Sequence, residues 1–270
     1  MLPVDLWGKL NYNEDITERG EKQMKFTVGL AGKNIGICSF FDSLRDFCQD
    51  YLTEGAPDLS IAISPADIAF ERQHSAREDR AEGRPVRQFS DAYLETLAAY
   101  RKIAEELIQY NTLLFHGSLV AVDGQGYLFT AKSGTGKSTH SALWRQLLGD
   151  RAVVVNDDKP LLRITDHGVI AYGTPWDGKH RRSANMAVPL QGLGILNRAR
   201  DNSIRLTEGK EVYPLILQQT HRPSDPRRML KTLELVDELI KNVPLYIMGC
   251  NMDIEAAKMA YETMSGGKMV

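Results

Sequence analysis

The chain has 270 residues, of which 43% are hydrophobic and 25% charged, and its formal net charge is −2. This composition is ordinary for a globular protein, and the near-neutral charge argues against a nucleic-acid partner. The sequence has neither an apolar run of membrane-spanning length nor a basic segment followed by an apolar one, so we expect a cytoplasmic protein without a membrane partner. Its three scattered cysteines suit reduced thiols.

Residues 1–88 are predicted to form a small N-terminal α/β region. Its strands are expected at residues 24–30, 34–40 and 59–63. The turn Ala31-Gly32-Lys33 joins the first two strands into a hairpin, and a short helix is expected over 43–52. Residues 71–88 are rich in charged side chains and predict an exposed connection.

The remaining residues, 89–270, are predicted to form one larger α/β domain. Ser90 is a candidate cap for a helix from Asp91 to about Tyr110. A strand over 113–122 and the turn that follows it predict a hairpin whose second arm is 127–130. Further strands are expected at 151–155, 161–164, 169–172, 193–197 and 243–248, and further helices at 138–148, 226–242 and 253–264.

Residues 131–138 read Ala-Lys-Ser-Gly-Thr-Gly-Lys-Ser, which is close to the phosphate-binding pattern G-x-x-x-x-G-K-[ST], with Ala131 at the first glycine. A strand precedes this segment and a helix follows it, as such a loop requires, so a simple glycine-containing turn is the weaker interpretation. Lys137 is expected to contact the β- and γ-phosphates, and Ser138 to hold Mg²⁺. The residues predicted to bind the nucleotide are Ser133, Gly134, Thr135, Gly136, Lys137, Ser138 and Thr139.

Two adjacent carboxylates, Asp157 and Asp158, follow the apolar segment 151–155. An aspartate at the end of a strand can hold Mg²⁺, and a second one can accept a proton from an attacking hydroxyl. Neighbouring side chains in an extended chain point in opposite directions, so one role for each is expected rather than one shared metal. A solvated turn is the alternative.

Two further groups are candidates for the same site. His116 lies on the first arm of the hairpin and could orient or relay a proton, whereas a buried histidine bonded to the backbone is the alternative. The basic residues Lys179, His180 and Arg181 lie in a turn-rich segment. They could clamp an anionic substrate or the transferred phosphate, or form only a solvated turn.

His116-Gly117, the loop at 133–138, Asp157-Asp158 and Gly192-Leu193-Gly194-Ile195 together resemble the catalytic domain of the HPr kinase/phosphorylase family. The resemblance covers roughly residues 112–200. It implies a P-loop fold with a mixed sheet, of the type shared with phosphoenolpyruvate carboxykinase. It also implies that the loop lysine and serine bind phosphate and metal, and that the aspartates and the histidine form the site of proton transfer and metal binding. Pro189 occupies the position of a family glutamate.

These features predict an ATP- and Mg²⁺-dependent kinase that phosphorylates a hydroxyl of a small molecule or peptide. Asp157 is the expected base beside His116, assisted by Lys137, and Asp158 is the expected metal ligand together with Ser138. A regulatory protein-serine kinase and a nucleotide-binding switch without phosphotransfer are the alternatives. A carboxykinase-like lyase is disfavoured because 270 residues are few for that class. Self-association stays open.

Overall fold

The computed structural model describes residues 15–16, 22–132, 134–178 and 183–267. The chain divides into two compact units, Met1–Ile103 and Ala104–Val270. This division falls inside a helix, after the boundary at residue 88 that composition suggests. No helix in the described ranges combines the length and the apolar character that a membrane crossing requires.

The N-terminal unit contains a sheet in the order β1-β2-β3-β4, in which only β3 and β4 are parallel. Its strands are β1 (Asp15–Ile16), β2 (Lys22–Leu30), β3 (Lys33–Ser39) and β4 (Leu59–Ala62). Its helices are α1 (Asp42–Phe47), α2 (Pro65–Ala81) and α3 (Asp91–Leu107), the last of which continues into the second unit. The predicted hairpin is confirmed: Ala31 and Gly32 both have positive φ, of 49° and 69°, as a tight turn between β2 and β3 requires.

The prediction that residues 71–88 form an exposed connection is wrong over its first part, which is the C-terminal half of α2. Ser64 and Asp67 form a reciprocal capping box that fixes the start of this helix. Some of its charged side chains are paired rather than merely solvated, since Arg101 Nε donates to Glu71 Oε1 at 2.6 Å. The charged residues at 71–81 therefore belong to a helix that ion pairs help to stabilise, and not to an exposed connection.

The C-terminal unit contains a mixed sheet in the order β5-β9-β10-β11-β7-β6-β8, and β13 pairs with both β11 and β12. Its strands are β5 (Thr112–Leu114), β6 (Ser118–Val122), β7 (Gln125–Thr130), β8 (Ala152–Asn156), β9 (Leu161–Thr165), β10 (Gly168–Tyr172), β11 (Ala187–Arg198), β12 (Ser203–Leu206) and β13 (Leu245–Cys250). Its helices are α4 (Lys137–Leu148), α5 (Gly209–Gln219), α6 (Pro226–Asn242) and α7 (Ile254–Ser265). The mixed α/β architecture and the antiparallel hairpin of β6 and β7 agree with the sequence expectation.

The predicted strand over 113–122 is in fact two strands with different neighbours. β5 pairs with β9, whereas β6 pairs with β7 and β8. Between them, the Phe115 amide donates to Pro160 O and the Gly117 amide donates to Asp158 O, so the chain changes partners across His116. His116 therefore lies in the break between two strands and not on an arm of the hairpin.

Several elements had no sequence prediction, among them the strand β12 and the helix α5. Pro214 lies inside α5, where proline removes a backbone donor and is normally unfavourable. Val212 and Ile216 of this helix are buried in the same hydrophobic core as β5 and β11. Tertiary packing thus stabilises a helix that local propensity disfavours.

Candidate functional site

The candidate site lies where β7 and β8 end. Both strands pair antiparallel with β6, so they run in the same direction and their carboxyl ends reach the same edge of the sheet. The phosphate-loop segment follows β7 and begins at Ala131, and Asp157 follows β8. The topology therefore brings together the two motifs that the sequence analysis identified separately.

The loop after β7 contains two glycines with positive φ. Gly134 and Gly136 have φ values of 75° and 119°, a region that is open to glycine and strained for other residues. An added Cβ at Gly134 would meet no atom within 4 Å, so the space beside the loop is open. Ala131, in place of the usual first glycine, is fully buried in the core. Ser133 lies outside the described residues.

Helix α4 is held rigidly behind this loop by aromatic packing. Trp144 is fully buried, and its ring lies 5.1 Å from that of Phe129 on β7. Its Nε1 donates to His140 Nε2 at 3.1 Å, and burial lowers the pKa of His140 to about 4, so this histidine is neutral. The N-terminus of α4, with its unpaired amides and positive dipole end, is thereby fixed next to the loop.

Lys137 is the first residue of α4 and is partly buried close to both carboxylates. Burial lowers its pKa, whereas the negative charges of Asp158 and Asp157 oppose this effect. The ammonium group of Lys137 and the two carboxylates consequently lie within electrostatic reach of one another. Ser138 and Thr139, which follow on the helix, are exposed and accessible to a ligand.

Asp157 is oriented by a chain of two hydroxyls. Ser118 Oγ donates to Asp157 Oδ1 at 2.5 Å. Ser118 Oγ also lies 2.6 Å from Ser141 Oγ, and because a hydroxyl has one proton, Ser141 must be the donor in that pair. The order of donation is therefore Ser141 to Ser118 to Asp157, which leaves Asp157 Oδ2 outside this chain.

Asp158 faces a different set of partners. His116 Nε2 lies 3.3 Å from its Oδ1, and Lys159 Nζ lies 2.5 Å from its Oδ2. Burial raises the pKa of Asp158, but the hydrogen bond from His116 and the charge of Lys159 outweigh burial and hold it well below its usual range. The expected pairing of His116 with Asp157 is thus corrected: the break before β6 directs the imidazole to Asp158.

The backbone of His116 is fixed from two sides. Its amide donates to Gln219 O at the end of α5 at 2.7 Å. Its carbonyl accepts a hydrogen bond at 2.9 Å from the hydroxyl of Thr130, which is the last residue of β7. The imidazole is therefore positioned by the same strand that carries the phosphate loop.

Asn156, which the sequence analysis did not select, holds the carboxylate segment in place. Its fully buried side chain accepts from the amides of Asp158 and Lys159 at 3.0 and 2.7 Å. Its Nδ2 donates to Thr174 O at 3.1 Å and to Trp176 O at 3.3 Å. The signal in the sequence was an asparagine directly before the two aspartates, a residue that commonly bonds its own backbone in turns.

Arg198, at the end of β11, is a second residue that sequence reasoning missed. Its guanidinium donates to the carbonyl oxygens of Gly134 and Thr135 in the phosphate loop. β11 is the parallel neighbour of β7, so its last residue reaches the same edge of the sheet. Nothing in the local sequence of Arg198 indicates this contact, which depends on the order of the strands.

A cavity of about 280 Å³ opens beside α4 at this edge. Helix α4 contributes Ser138, Ser141 and Arg145 to its lining, and the β8 segment contributes Val154 and Asp157. Trp176 is buried and packs in the interior, so it offers no exposed face for a base. The cavity joins the start of α4 to one of the two carboxylates.

The structure thus brings together His116, Lys137, Ser138, Asp157 and Asp158, the core of the predicted site. The predicted basic substrate residues Lys179, His180 and Arg181 lie outside the described part of the chain. Among the described residues, no group of three or more histidine, cysteine or acidic side chains is arranged to hold a metal. The roles assigned to the individual residues remain predictions.

Comparisons with known proteins add little to this geometry. No family model matches the chain, and no curated protein matches it. Among solved structures, the chain is similar to the Hpr(Ser) kinase/phosphatase from Coxiella burnetii, with 13% identity and a TM-score of 0.34. That similarity covers 57% of this chain and 99% of the other. A similarity of this size identifies no family, and the functional argument depends on the site itself.

Proposed function

We propose that this protein is a kinase that uses ATP and Mg²⁺ to phosphorylate a hydroxyl of a small molecule or peptide. The observation that carries the proposal is the proximity of Lys137 to Asp157 and Asp158, at the edge where β7 and β8 end. A phosphate-binding cation beside carboxylates is the combination that phosphoryl transfer requires, since the cation holds the phosphates and the carboxylates serve metal and base.

The residues present fit a nucleotide. The positive-φ glycines Gly134 and Gly136 leave the loop open, and the N-terminus of α4 faces the same space. Lys137 would contact phosphate oxygens through its ammonium group. Arg198 holds the carbonyls of Gly134 and Thr135 toward itself. The Thr135 amide donates to Lys132 O within the loop, whereas the Gly136 amide, which follows the Thr135 carbonyl across a trans peptide, points away from Arg198.

Mg²⁺ would be held by Ser138 and Asp158. Magnesium usually takes one or two protein oxygens and completes its shell with water and phosphate, so a cluster of three acidic residues is unnecessary. The low pKa of Asp158 keeps this carboxylate ionised, and His116 orients it. Bound ATP with Mg²⁺ would supply the phosphoryl group and neutralise part of its negative charge.

Asp157 would act as the general base. It lines the cavity, and Ser118 engages only its Oδ1, so Oδ2 is the atom assigned to the acceptor's proton. Asp158 is less suited to this role because both of its oxygens already have cationic or imidazole partners. The two aspartates would therefore have separate roles: Asp157 would accept the proton of the acceptor hydroxyl, and Asp158 would bind the metal.

The direct test is transfer of label from [γ-³²P]ATP with Mg²⁺ to a panel of amino acids, hydroxy acids, polyols, sugars and short serine peptides. The proposal expects label in an organic product. Label in a folded partner protein alone would favour the regulatory protein-kinase alternative. Release of free phosphate without any labelled product would favour a nucleotide switch and contradict the proposal.

A further inference from the structure

One face of α4 lines the cavity with three polar side chains and one alanine at helical spacing. Ser138, Ser141, Ala142 and Arg145 stand at positions i, i+3, i+4 and i+7, and all four line the cavity. Residues at this spacing lie on one side of a helix. The phosphate end of α4, at Ser138, and the guanidinium of Arg145 therefore open into the same space, separated by about 10 Å of helix.

Arg145 is exposed and has no ion pair with any residue that the structure describes. In the same unit, Arg151 pairs with Asp123 and Arg228 pairs with Glu106, so the guanidinium of Arg145 is more available to a ligand than theirs. A guanidinium presents a planar fork of donors that matches the two oxygens of a carboxylate or the oxygens of a phosphate. Its position on the wall of a cavity suits the capture of such an anion.

We propose that Arg145 binds an anionic group of the phosphoryl acceptor, so that the acceptor is a small hydroxyl compound carrying a carboxylate or a phosphate. The inference rests on the proposed kinase function, whose base, Asp157, lines the same cavity. The anion pairs with Arg145 while the hydroxyl reaches Asp157 Oδ2. The cavity, at about 280 Å³, lies near the lower end of the range for ligand pockets, roughly 300–1,000 Å³, and so suits a small compound.

This assignment differs from the basic residues Lys179, His180 and Arg181 that the sequence suggested for the same role. It places the anion on a rigid helix that also forms the phosphate site. Orientation of the acceptor between Arg145 and Asp157 would hold its hydroxyl in one place relative to the loop, which lowers the entropy cost of the reaction.

Saturation-transfer NMR on the full-length chain without nucleotide tests the proposal. The probes are glycerol, glycerate and glycerol 3-phosphate, which share a hydroxylated three-carbon frame and differ in charge. Wild-type protein should bind at least one of the two anions and not glycerol. Arg145→Gln should weaken that binding by about tenfold or more, the scale of a lost charge-assisted contact.

Two control variants separate the loss of the Arg145 site from a general loss of positive charge and from binding at the phosphate loop. Arg45→Gln removes an exposed positive charge from α1 and should leave binding of the anions unchanged. Lys137→Ala should reduce any binding of glycerol 3-phosphate to the phosphate loop but leave the Arg145-dependent part. Binding of glycerol equal to that of both anions, no binding of either anion, or unchanged binding in Arg145→Gln would overturn the inference.

A second measurement distinguishes failure of this inference from failure of the kinase proposal. With [γ-³²P]ATP and the acceptor that the screen identifies, Arg145→Gln should raise the KM for the acceptor about tenfold or more, and the KM for ATP should stay unchanged. Transfer that is insensitive to Arg145 contradicts the inference and leaves the kinase intact. Arg145-dependent binding of an anion without any transfer contradicts the kinase and leaves an anion site.

Discussion

Each unit of the molecule contains an aspartate whose pKa is held well below its usual range, and the two differ in what surrounds them. Asp79 in the N-terminal unit is fully buried and is surrounded by Arg84 and Arg87. Asp158 in the C-terminal unit pairs with His116 and Lys159 at a strand end that also holds the phosphate loop. The first arrangement is closed and stabilises structure, whereas the second adjoins an open site. A lowered pKa alone therefore does not separate a structural aspartate from a candidate site residue, and the surroundings of the carboxylate are what distinguish the two.

The largest effect is expected at Asp157, the neighbour of Asp158 that lines the cavity. Asp157→Asn keeps the shape of the side chain and removes its basicity, so phosphoryl transfer should fall by about a hundredfold or more. Affinity for ATP, measured by calorimetry, should change little. Asp166→Asn, an exposed aspartate after β9, is the matched control and should be neutral. Equal losses of affinity and turnover in Asp157→Asn would contradict its assignment as a base.

His116 should affect the metal rather than the nucleotide. His116→Gln removes the imidazole that orients Asp158, so the Mg²⁺ concentration required for half-maximal activity should rise roughly tenfold. Titration of activity with Mg²⁺ at saturating ATP measures this. The exposed His167 provides the control His167→Gln. A lowered turnover with an unchanged Mg²⁺ requirement would place His116 in proton transfer instead.

Arg198 should have a smaller effect through the loop. Arg198→Ala removes two exposed hydrogen bonds to loop carbonyls, which together are worth on the order of 1 kcal/mol, and should weaken ATP binding by about threefold to tenfold. Arg198→Lys should restore part of the affinity because one donor can still reach a carbonyl. The neighbouring exposed residue provides Arg200→Ala as the control. Unchanged affinity in Arg198→Ala would show that the loop keeps its shape unaided.

Asp79 should affect stability alone. Hydrogen bonds from the Arg87 side chain and amide outweigh burial and lower its pKa, so its contribution to stability is present above the unfolded-state pKa of about 3.9. That contribution is lost as the pH falls below this value toward the folded-state pKa. Asp79→Asn should therefore lower the Tm at pH 7 by several degrees, and the difference from wild type should shrink below about pH 4.

The control for this prediction is Asp46→Asn on the exposed side of α1, which should not change the Tm. Binding of ATP at neutral pH should be the same in Asp79→Asn and wild type below their transitions. A Tm difference that does not depend on pH would mean that shape, and not charge, accounts for the role of Asp79.

The elements around the phosphate loop could be predicted because their signals are local. Gly134 and Gly136 permit the loop, the short aromatic and β-branched run before it forms β7, and the apolar spacing after Lys137 forms α4. Asp157 and Asp158 were recognisable at the end of a short apolar strand. In each case the residues that determine the structure are adjacent in the chain.

The contacts that complete the site depend on residues far apart in sequence, and local patterns could not reveal them. Arg198 reaches the loop because β11 lies beside β7, and Arg145 enters the cavity because α4 packs against β8. His116 turned toward Asp158 because the predicted strand breaks between β5 and β6. Each of these contacts depends on which strands pair or on which strand a helix packs, and local patterns in the sequence do not reveal either.

Calorimetric titration of wild type and Lys137→Ala with ATP, in the presence of Mg²⁺, tests the central claim most directly. Lys137 starts α4 within electrostatic reach of both aspartates, and its loss removes a charge-assisted phosphate contact worth about 1.5–3 kcal/mol. The account predicts saturable binding to wild type that weakens by about tenfold or more in the variant, while Lys132→Ala, an exposed lysine of the same loop, binds as wild type does. Absence of binding to wild type, or equal affinity in wild type and Lys137→Ala, would contradict the assignment of a nucleotide site at this loop.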